Sequence, residues 1–177
     1  GAENVQVAFN PAGRAPGTYN ATLILNTSDS LLPLTNLPVS LTIYLGLENW
    51  RQANFGTTNN TGVAADTANP DLDSLANLLE YAFGQNPNIS SPQPWSVDFV
   101  NSHLVFTFTR PRPAPTDITY VVEVAGDLST GVWESGPAFT TESVTNNGDG
   151  TETVVITDLA GPPVSSTHFL RLRVTRP

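Results

Sequence analysis

The sequence of 177 residues has no cysteine, no methionine and no lysine. Without cysteine, the chain can form neither disulfide bonds nor metal sites with thiolate ligands. Without lysine, it cannot form cross-links between a lysine amine and an asparagine side chain. Because methionine is absent, the chain does not start at an initiator residue, and we expect Gly1 to be a processed end.

Charge is also scarce and mostly of one sign. Charged residues make up 13% of the chain, and 16 acidic residues against 7 arginines give a net charge of −9. A nucleic-acid partner needs a basic face, so we expect none. The chain has no apolar run long enough to span a bilayer, so we expect no membrane insertion. A surface made polar mainly by Thr, Ser and Asn is typical of a secreted β-rich protein, which predicts an extracellular or cell-surface location.

Apolar and polar side chains alternate over residues 1–46, which predicts β-strands at residues 5–9, 19–25 and 39–45. Residues 9–19, Phe-Asn-Pro-Ala-Gly-Arg-Ala-Pro-Gly-Thr-Tyr, resemble the end of immunoglobulin-like repeats in large bacterial surface proteins. A whole sandwich of that kind needs about 100 residues, so the resemblance implies only its C-terminal strands. Either the upstream part of the same protein completes the domain, or a neighbouring subunit does so by strand pairing.

A metal-binding pattern lies at residues 69–80. Oxygen-bearing side chains stand at its first, third, fifth, ninth and twelfth places, which are Asn69, Asp71, Asp73, Asn77 and Glu80. This is the ligand spacing of a calcium loop of the EF-hand type, in which the seventh place, here Leu75, offers its backbone carbonyl. Asp66 is a candidate for a further oxygen. The pattern predicts a calcium site, because a loop with ligands on alternate residues can wrap six to eight oxygens around one ion.

Helices are predicted on both sides of this loop. Residues 47–56 form a short helical pattern ended by Gly56, and apolar residues at helical spacing predict an amphipathic helix over residues 72–83, with Gly84 as its cap. An alternative role for the loop follows from the second helix. Asp71 or Asp73 at its N-terminus would stabilise the helix dipole without any metal.

The loop departs from the strict calcium pattern, since Asn69 replaces the first aspartate and Ser74 replaces the sixth-place glycine. Both changes predict weak binding, in the extracellular range of about 10⁻⁴–10⁻³ M. Residues 50–56 and 65–84 resemble a recurrent C-terminal segment of secreted bacterial proteins, similar to thrombospondin type 3 and dockerin calcium repeats. Those repeats usually carry Asp-Gly-Asp-Gly where this chain has Asp71-Leu72-Asp73-Ser74. The resemblance extends over about residues 47–177 and implies a calcium-binding, non-catalytic module that closes a larger surface protein.

After a linker at residues 88–94, strand patterns follow at 95–100, 103–109, 118–125, 132–134, 139–145, 151–157 and 168–174. Their even spacing, with glycine and proline between them, predicts a β-sandwich. The expected fold is therefore mainly β, in three parts. These are immunoglobulin-like strands at 1–46, a helix–calcium-loop–helix connector at 47–87, and a β-sandwich domain at 88–177.

Catalytic groups are not evident in the sequence. His103 and His168 stand far apart at strand starts, with no other ligand or base at useful spacing, and we expect the chain not to be an enzyme. Trp50 and Trp95 are predicted core residues, and Trp133, beside turn residues, is the candidate for stacking on a sugar. We expect a structural or adhesive module, the tail of a surface protein or a fibre subunit, braced by weakly bound calcium. The alternative is a carbohydrate-binding appendage of a secreted enzyme.

Overall fold

A computed structural model describes residues 6–10, 14–26, 34–44, 46–159 and 167–177. The chain divides into two compact units, Gly1–Leu45 and Gly46–Pro177. Among the described residues, strands account for 42% and helices for 15%, and the strands form three antiparallel sheets, so the predicted mainly β fold class is confirmed. None of the described helices is long and apolar enough to cross a membrane.

The described part of the first unit forms one antiparallel pair of strands, β1 (Gly17–Asn26) and β2 (Leu34–Ile43). The strand predicted at residues 5–9 is wrong for residues 6–9, which have no regular structure, and Val5 lies outside the described residues. Five alternating residues do not by themselves supply the neighbour with which the backbone of a strand must pair. The first unit therefore retains two of the three predicted strands.

The second unit begins with two helices, α1 (Gly46–Phe55) and α2 (Asn77–Phe83). Gly56 and Gly84 both have a φ of 71°, in the left-handed region that glycine adopts freely, and end the two helices as predicted. The helix predicted from residue 72 begins only at Asn77. Its expected first turn is a loop instead, because the Asp73 side chain binds the Leu75 amide at 2.6 Å and competes with helical hydrogen bonding.

The described part of the second unit contains seven strands, and they are β3 (Trp95–Val100), β4 (His103–Pro111), β5 (Thr119–Ala125), β6 (Glu134–Ser135), β7 (Thr140–Asn146), β8 (Thr151–Asp158) and β9 (Phe169–Thr175). All seven strands predicted beyond residue 94 are present, with bounds shifted by at most two residues. They form two sheets, of which the larger has the order β3-β4-β8-β7 and the smaller the order β6-β5-β9.

The two sheets pack face to face, and α2 is part of their core. The larger sheet contributes Phe106, Phe108, Val154 and Ile156, against Tyr120, Val122, Leu170 and Leu172 from the smaller. Phe83 of α2 joins this cluster with its ring centroid 6.0 Å from that of Phe108. A second cluster joins Leu47 of α1 to α2 and Ile118. The segment predicted as a separate connector at 47–87 is therefore packed into the sandwich as one unit.

Candidate metal centre

Three carboxylates of the predicted loop come together in the structure. One oxygen each from Asp71, Asp73 and Glu80 lies within 4.8 Å of the other two. Like charges this close disfavour one another, so the cluster requires a proton or a cation to be stable. These residues occupy the third, fifth and twelfth places of the loop.

Glu80 is the buried centre of the cluster. Its side chain is 0% exposed, and neither carboxylate oxygen has a hydrogen-bond partner within the protein. Burial, together with the charges of Asp71 and Asp73, raises the pKa of Glu80 to about 7. An unpaired charge in this position is costly, and a bound cation would remove that cost.

Two asparagines offer further oxygens from the same loop. The Asn77 Nδ2 group donates to the carbonyls of Val63 and Ala65, both at 2.8 Å, and the Asn69 Nδ2 group donates to the Asp73 carbonyl at 2.6 Å. These bonds fix the orientation of each amide. The Oδ1 atom at the other end is buried and unpartnered in both residues.

The aspartates are held in place by backbone amides. Asp73 accepts from the Leu75 amide at 2.6 Å and, through its other oxygen, from the Ser91 amide at 3.0 Å. Asp71 Oδ1 accepts from the Asp73 amide at 3.3 Å, whereas Asp71 Oδ2 is buried and unpartnered. A carboxylate oxygen that accepts one hydrogen bond keeps a second lone pair for a metal. No sequence pattern indicated Ser91, which lies 18 residues beyond Asp73 in the linker.

Unpartnered buried oxygens thus come from four of the predicted ligands, and they are Asn69 Oδ1, Asp71 Oδ2, Asn77 Oδ1, Glu80 Oε1 and Glu80 Oε2. With Asp73, this donor set consists of carboxylate and amide oxygens alone, which is what Ca²⁺ prefers. The Leu75 side chain is buried in the core, and its carbonyl remains a predicted ligand.

Asp66 does not belong to this centre, contrary to prediction. It forms an ion pair with the buried guanidinium of Arg51, and its Oδ2 atom lies 2.8 Å from Nε of Arg176. Asn60 also donates to it at 3.3 Å. The position of Asp66 close to the loop in sequence suggested a ligand. In the structure, its carboxylate pairs instead with Arg51 of α1 and with Arg176.

The helix-capping alternative for the acidic residues also lacks structural support. The cap position of α2 is Ala76, and no side chain makes a capping hydrogen bond there. Asp71 and Asp73 lie outside the first turn of the helix, where the dipole effect has its strength. Their common neighbour is Glu80, and the repulsion among the three carboxylates is relieved by a proton or by a cation.

Leu72 has a backbone conformation that favours glycine. Its φ is 61° and its side chain is 87% exposed. It stands where similar calcium repeats carry their first glycine, whereas Ser74, at the second glycine position, has no positive φ. A left-handed conformation costs a residue with a Cβ atom about 1–2 kcal/mol.

The Leu72→Gly variant is therefore expected to be more stable than the native chain by roughly 0.5–1 kcal/mol, after allowing for the greater freedom of glycine in the unfolded state. Thermal unfolding with and without calcium measures this gain. Leu128→Gly is the matched control, because Leu128 is also exposed, at 51%, but has no positive φ. A gain no larger than that of the control would show that the loop is unstrained.

Trp133 and the histidines have partners that the sequence did not indicate. The Arg171 guanidinium lies 4.0 Å from the Trp133 ring centroid, so one face of the proposed sugar platform is covered. His103 Nδ1 lies 2.7 Å from the Asp158 carbonyl, and His168 Nδ1 lies 3.2 Å from the Asp158 carboxylate. Both histidines are partly exposed, His103 at the start of β4 and His168 directly before β9, as predicted, and β-pairing brings them to the same residue, Asp158.

The resemblance to calcium repeats of secreted bacterial proteins rests on the motifs quoted above. No protein-family model matches the chain, and a comparison with curated proteins finds no match.

Proposed function

We propose that this chain is a non-catalytic, extracellular structural or adhesive module braced by calcium, as the tail of a surface protein or a fibre subunit. The observation that supports it is the set of five buried, unpartnered oxygens on a loop with calcium-ligand spacing. Buried polar groups in proteins are almost always paired, so five such atoms in one loop favour a bound cation.

The donor set favours calcium over other metals. No histidine or cysteine contributes, which argues against zinc and copper. Magnesium keeps several waters and is usually bound by one or two carboxylates, whereas this loop offers three carboxylates and two buried amide oxygens.

The brace acts on the fold through the residues that hold the ligands. Asp73 binds the Ser91 amide in the linker before β3, and Asn77 binds carbonyls of the turn before the loop. Glu80 lies on α2, whose Phe83 is in the sandwich core. Because calcium binds only the closed loop, its binding stabilises these contacts together by mass action.

Calcium is expected to raise the melting temperature of the chain by several degrees, and EDTA is expected to lower it. At about 10 mM calcium and the predicted affinity, the stabilisation is roughly 1–3 kcal/mol. Asp71→Asn, which removes one charge with little change of shape, should abolish most of this gain. Isothermal titration calorimetry measures the affinity directly.

Glu142→Gln is the matched control, because Glu142 is an exposed carboxylate on β7. It should leave both the affinity and the calcium-dependent shift unchanged. A melting temperature that responds to neither calcium nor EDTA contradicts the proposal.

Carbohydrate binding at Trp133 is the second candidate function, and its support is weaker. Arg171 occupies one face of the ring, which leaves the other for a sugar. A glycan array with the native chain and with Trp133→Ala tests it. Binding that is lost in the variant would favour an appendage of a secreted enzyme.

A further inference from the structure

An apolar groove runs along one side of the sandwich, between strands that belong to different sheets. Its volume is about 290 Å³, and its lining includes Trp95 and Val97 of β3, Leu170 and Leu172 of β9, and Phe83 of α2. β3 is the outermost strand of the larger sheet, and β9 is the outermost strand of the smaller sheet. In the described part of the chain, no strand pairs with the free edge of either.

The core-facing side of β3 is left uncovered next to this groove. Val97 lies opposite Phe106 and Phe99 lies opposite Leu104, so both point to the face that carries the core. They are nevertheless 56% and 68% exposed, respectively. Within the described part of the chain these two side chains are therefore largely uncovered, whereas Trp95 of the same strand packs against Phe83.

This geometry suits one additional strand beside β9, with apolar side chains directed inward over Val97 and Phe99. Such a strand would satisfy the free backbone groups of β9 and cover the exposed row at the same time. The charges on the outer face then decide which strand fits.

The outer face of β9 carries an excess of positive charge. Arg171 and Arg173 both bind Glu123 of β5, with closest distances of 2.8 and 3.1 Å, so two guanidinium groups share one carboxylate. Their side chains remain 45% and 49% exposed. A strand beside β9 is therefore favoured if it has apolar residues inward and an acidic residue outward.

β3 itself has this pattern. Trp95, Val97 and Phe99 face the core, and Asp98 lies on the opposite, outer face of the same strand. Pairing β9 with β9 would set arginine against arginine, and pairing β3 with β3 would set Asp98 near its own copy. Pairing β3 with β9 sets opposite charges together.

We propose that a second copy of the chain docks on this groove, so that β3 of each copy pairs with β9 of the other. Because both strands lie on the same side of the sandwich, one two-fold axis makes the two contacts at once and closes the assembly as a dimer. The four-stranded sheet of each copy continues into the three-stranded sheet of its partner. Val97 and Phe99 of both copies become the shared core. The proposal does not depend on calcium binding.

Sedimentation velocity of the full chain over a wide concentration range tests this proposal. We expect a monomer–dimer equilibrium, and Phe99→Glu should weaken it by at least about 30-fold, as expected for a residue at the centre of an interface. Val144→Glu is the matched control, because Val144 is also an exposed core-facing residue, at 42%, but lies on the opposite edge strand β7. Asp98→Arg is a second variant, and it reverses the charge on the outer face of β3 that is proposed to lie near the arginines of β9. Circular dichroism verifies that each variant is folded.

The absence of cysteine allows the pairing itself to be measured. Ser96→Cys on β3 and Thr175→Cys on β9 are prepared separately and treated with a short bis-maleimide, alone and mixed. Reciprocal pairing predicts that the mixture gives more cross-linked dimer than either variant alone. A chain that is monomeric at every concentration, a dimer insensitive to Phe99→Glu, or open-ended polymers would each overturn the proposal. Cross-linking mainly within the Ser96→Cys sample would also overturn it, because it indicates β3–β3 contact.

Discussion

The Glu80→Gln variant is expected to be more stable than the native chain near pH 8 without calcium, by about 3 kcal/mol, and to lose its response to calcium. The glutamine amide has nearly the shape of the carboxylate but no charge to bury. It can also donate to the carboxylates of Asp71 and Asp73, which lie within 4.8 Å. Few substitutions raise stability while abolishing binding, so the pair of effects is diagnostic.

The pH dependence follows from the direction of the pKa shift. The pKa of Glu80 is raised from 4.5 to about 7 in the folded chain, so between these values the folded state holds a proton that the unfolded state has lost. The stability of the metal-free chain therefore falls as the pH rises through this window, by up to roughly 3 kcal/mol. Hydrogen bonds from arginines lower the pKa values of Glu123 and Glu152. The changes in stability that come from these two carboxyl groups therefore occur below this pH window.

Denaturant unfolding at several pH values from about 5 to 8, in EDTA and in calcium, measures this dependence. Saturating calcium should flatten the curve, because the metal takes the place of the proton on Glu80. The Glu80→Gln curve should be flat in both conditions. If the native chain and the variant have the same profile in EDTA, Glu80 is not the buried titrating group.

The Asp66→Ala variant is expected to lose roughly 3–5 kcal/mol of stability while keeping its calcium affinity. Arg51 is 2% exposed and pairs with Asp66, so removal of the carboxylate leaves a buried guanidinium without its counter-charge. The hydrogen bond from Arg51 Nε to the Ala64 carbonyl remains, but this carbonyl has no negative charge to balance the guanidinium. Arg176 loses its partner as well.

Denaturant unfolding and calorimetry, performed on the same samples, separate the two possible roles of Asp66. Glu142→Ala is the control, since the loss of an exposed carboxylate should change stability by no more than about 0.5 kcal/mol. A calcium affinity reduced as strongly as in Asp71→Asn would restore Asp66 to the ligand set. Unchanged stability would show that the Arg51 pair is not an important contact.

The predictable part of the structure depended on local patterns. Alternation located every strand beyond residue 94, because the two faces of a strand differ in polarity along the sequence itself. The start of α2 was misplaced because the helical apolar pattern over residues 72–83 continues into a loop, where Asp73 binds a nearby amide instead.

In the candidate site, too, local sequence patterns were predictable and contacts made by packing were not. The spacing placed Asp71, Asp73 and Glu80 in one predicted set, and their carboxylates lie together in the structure, because residues of one short loop are constrained by the chain that joins them. The role of Asp66 and the support from Ser91 were not predictable. Both depend on residues brought close by packing, namely Arg51, Arg176 and the segment before β3.

By itself, the sequence determined the mainly β fold and the positions of the strands in the second unit, and it predicted a calcium loop. It also excluded disulfide and thiolate chemistry, since the chain has no cysteine. Only the tertiary structure decided that the loop and α2 belong to the sandwich, that Glu80 is fully buried, and that β3 and β9 form one open groove. Burial and sheet order are properties of distant segments packed together, and no periodicity within a single segment encodes which neighbour covers it.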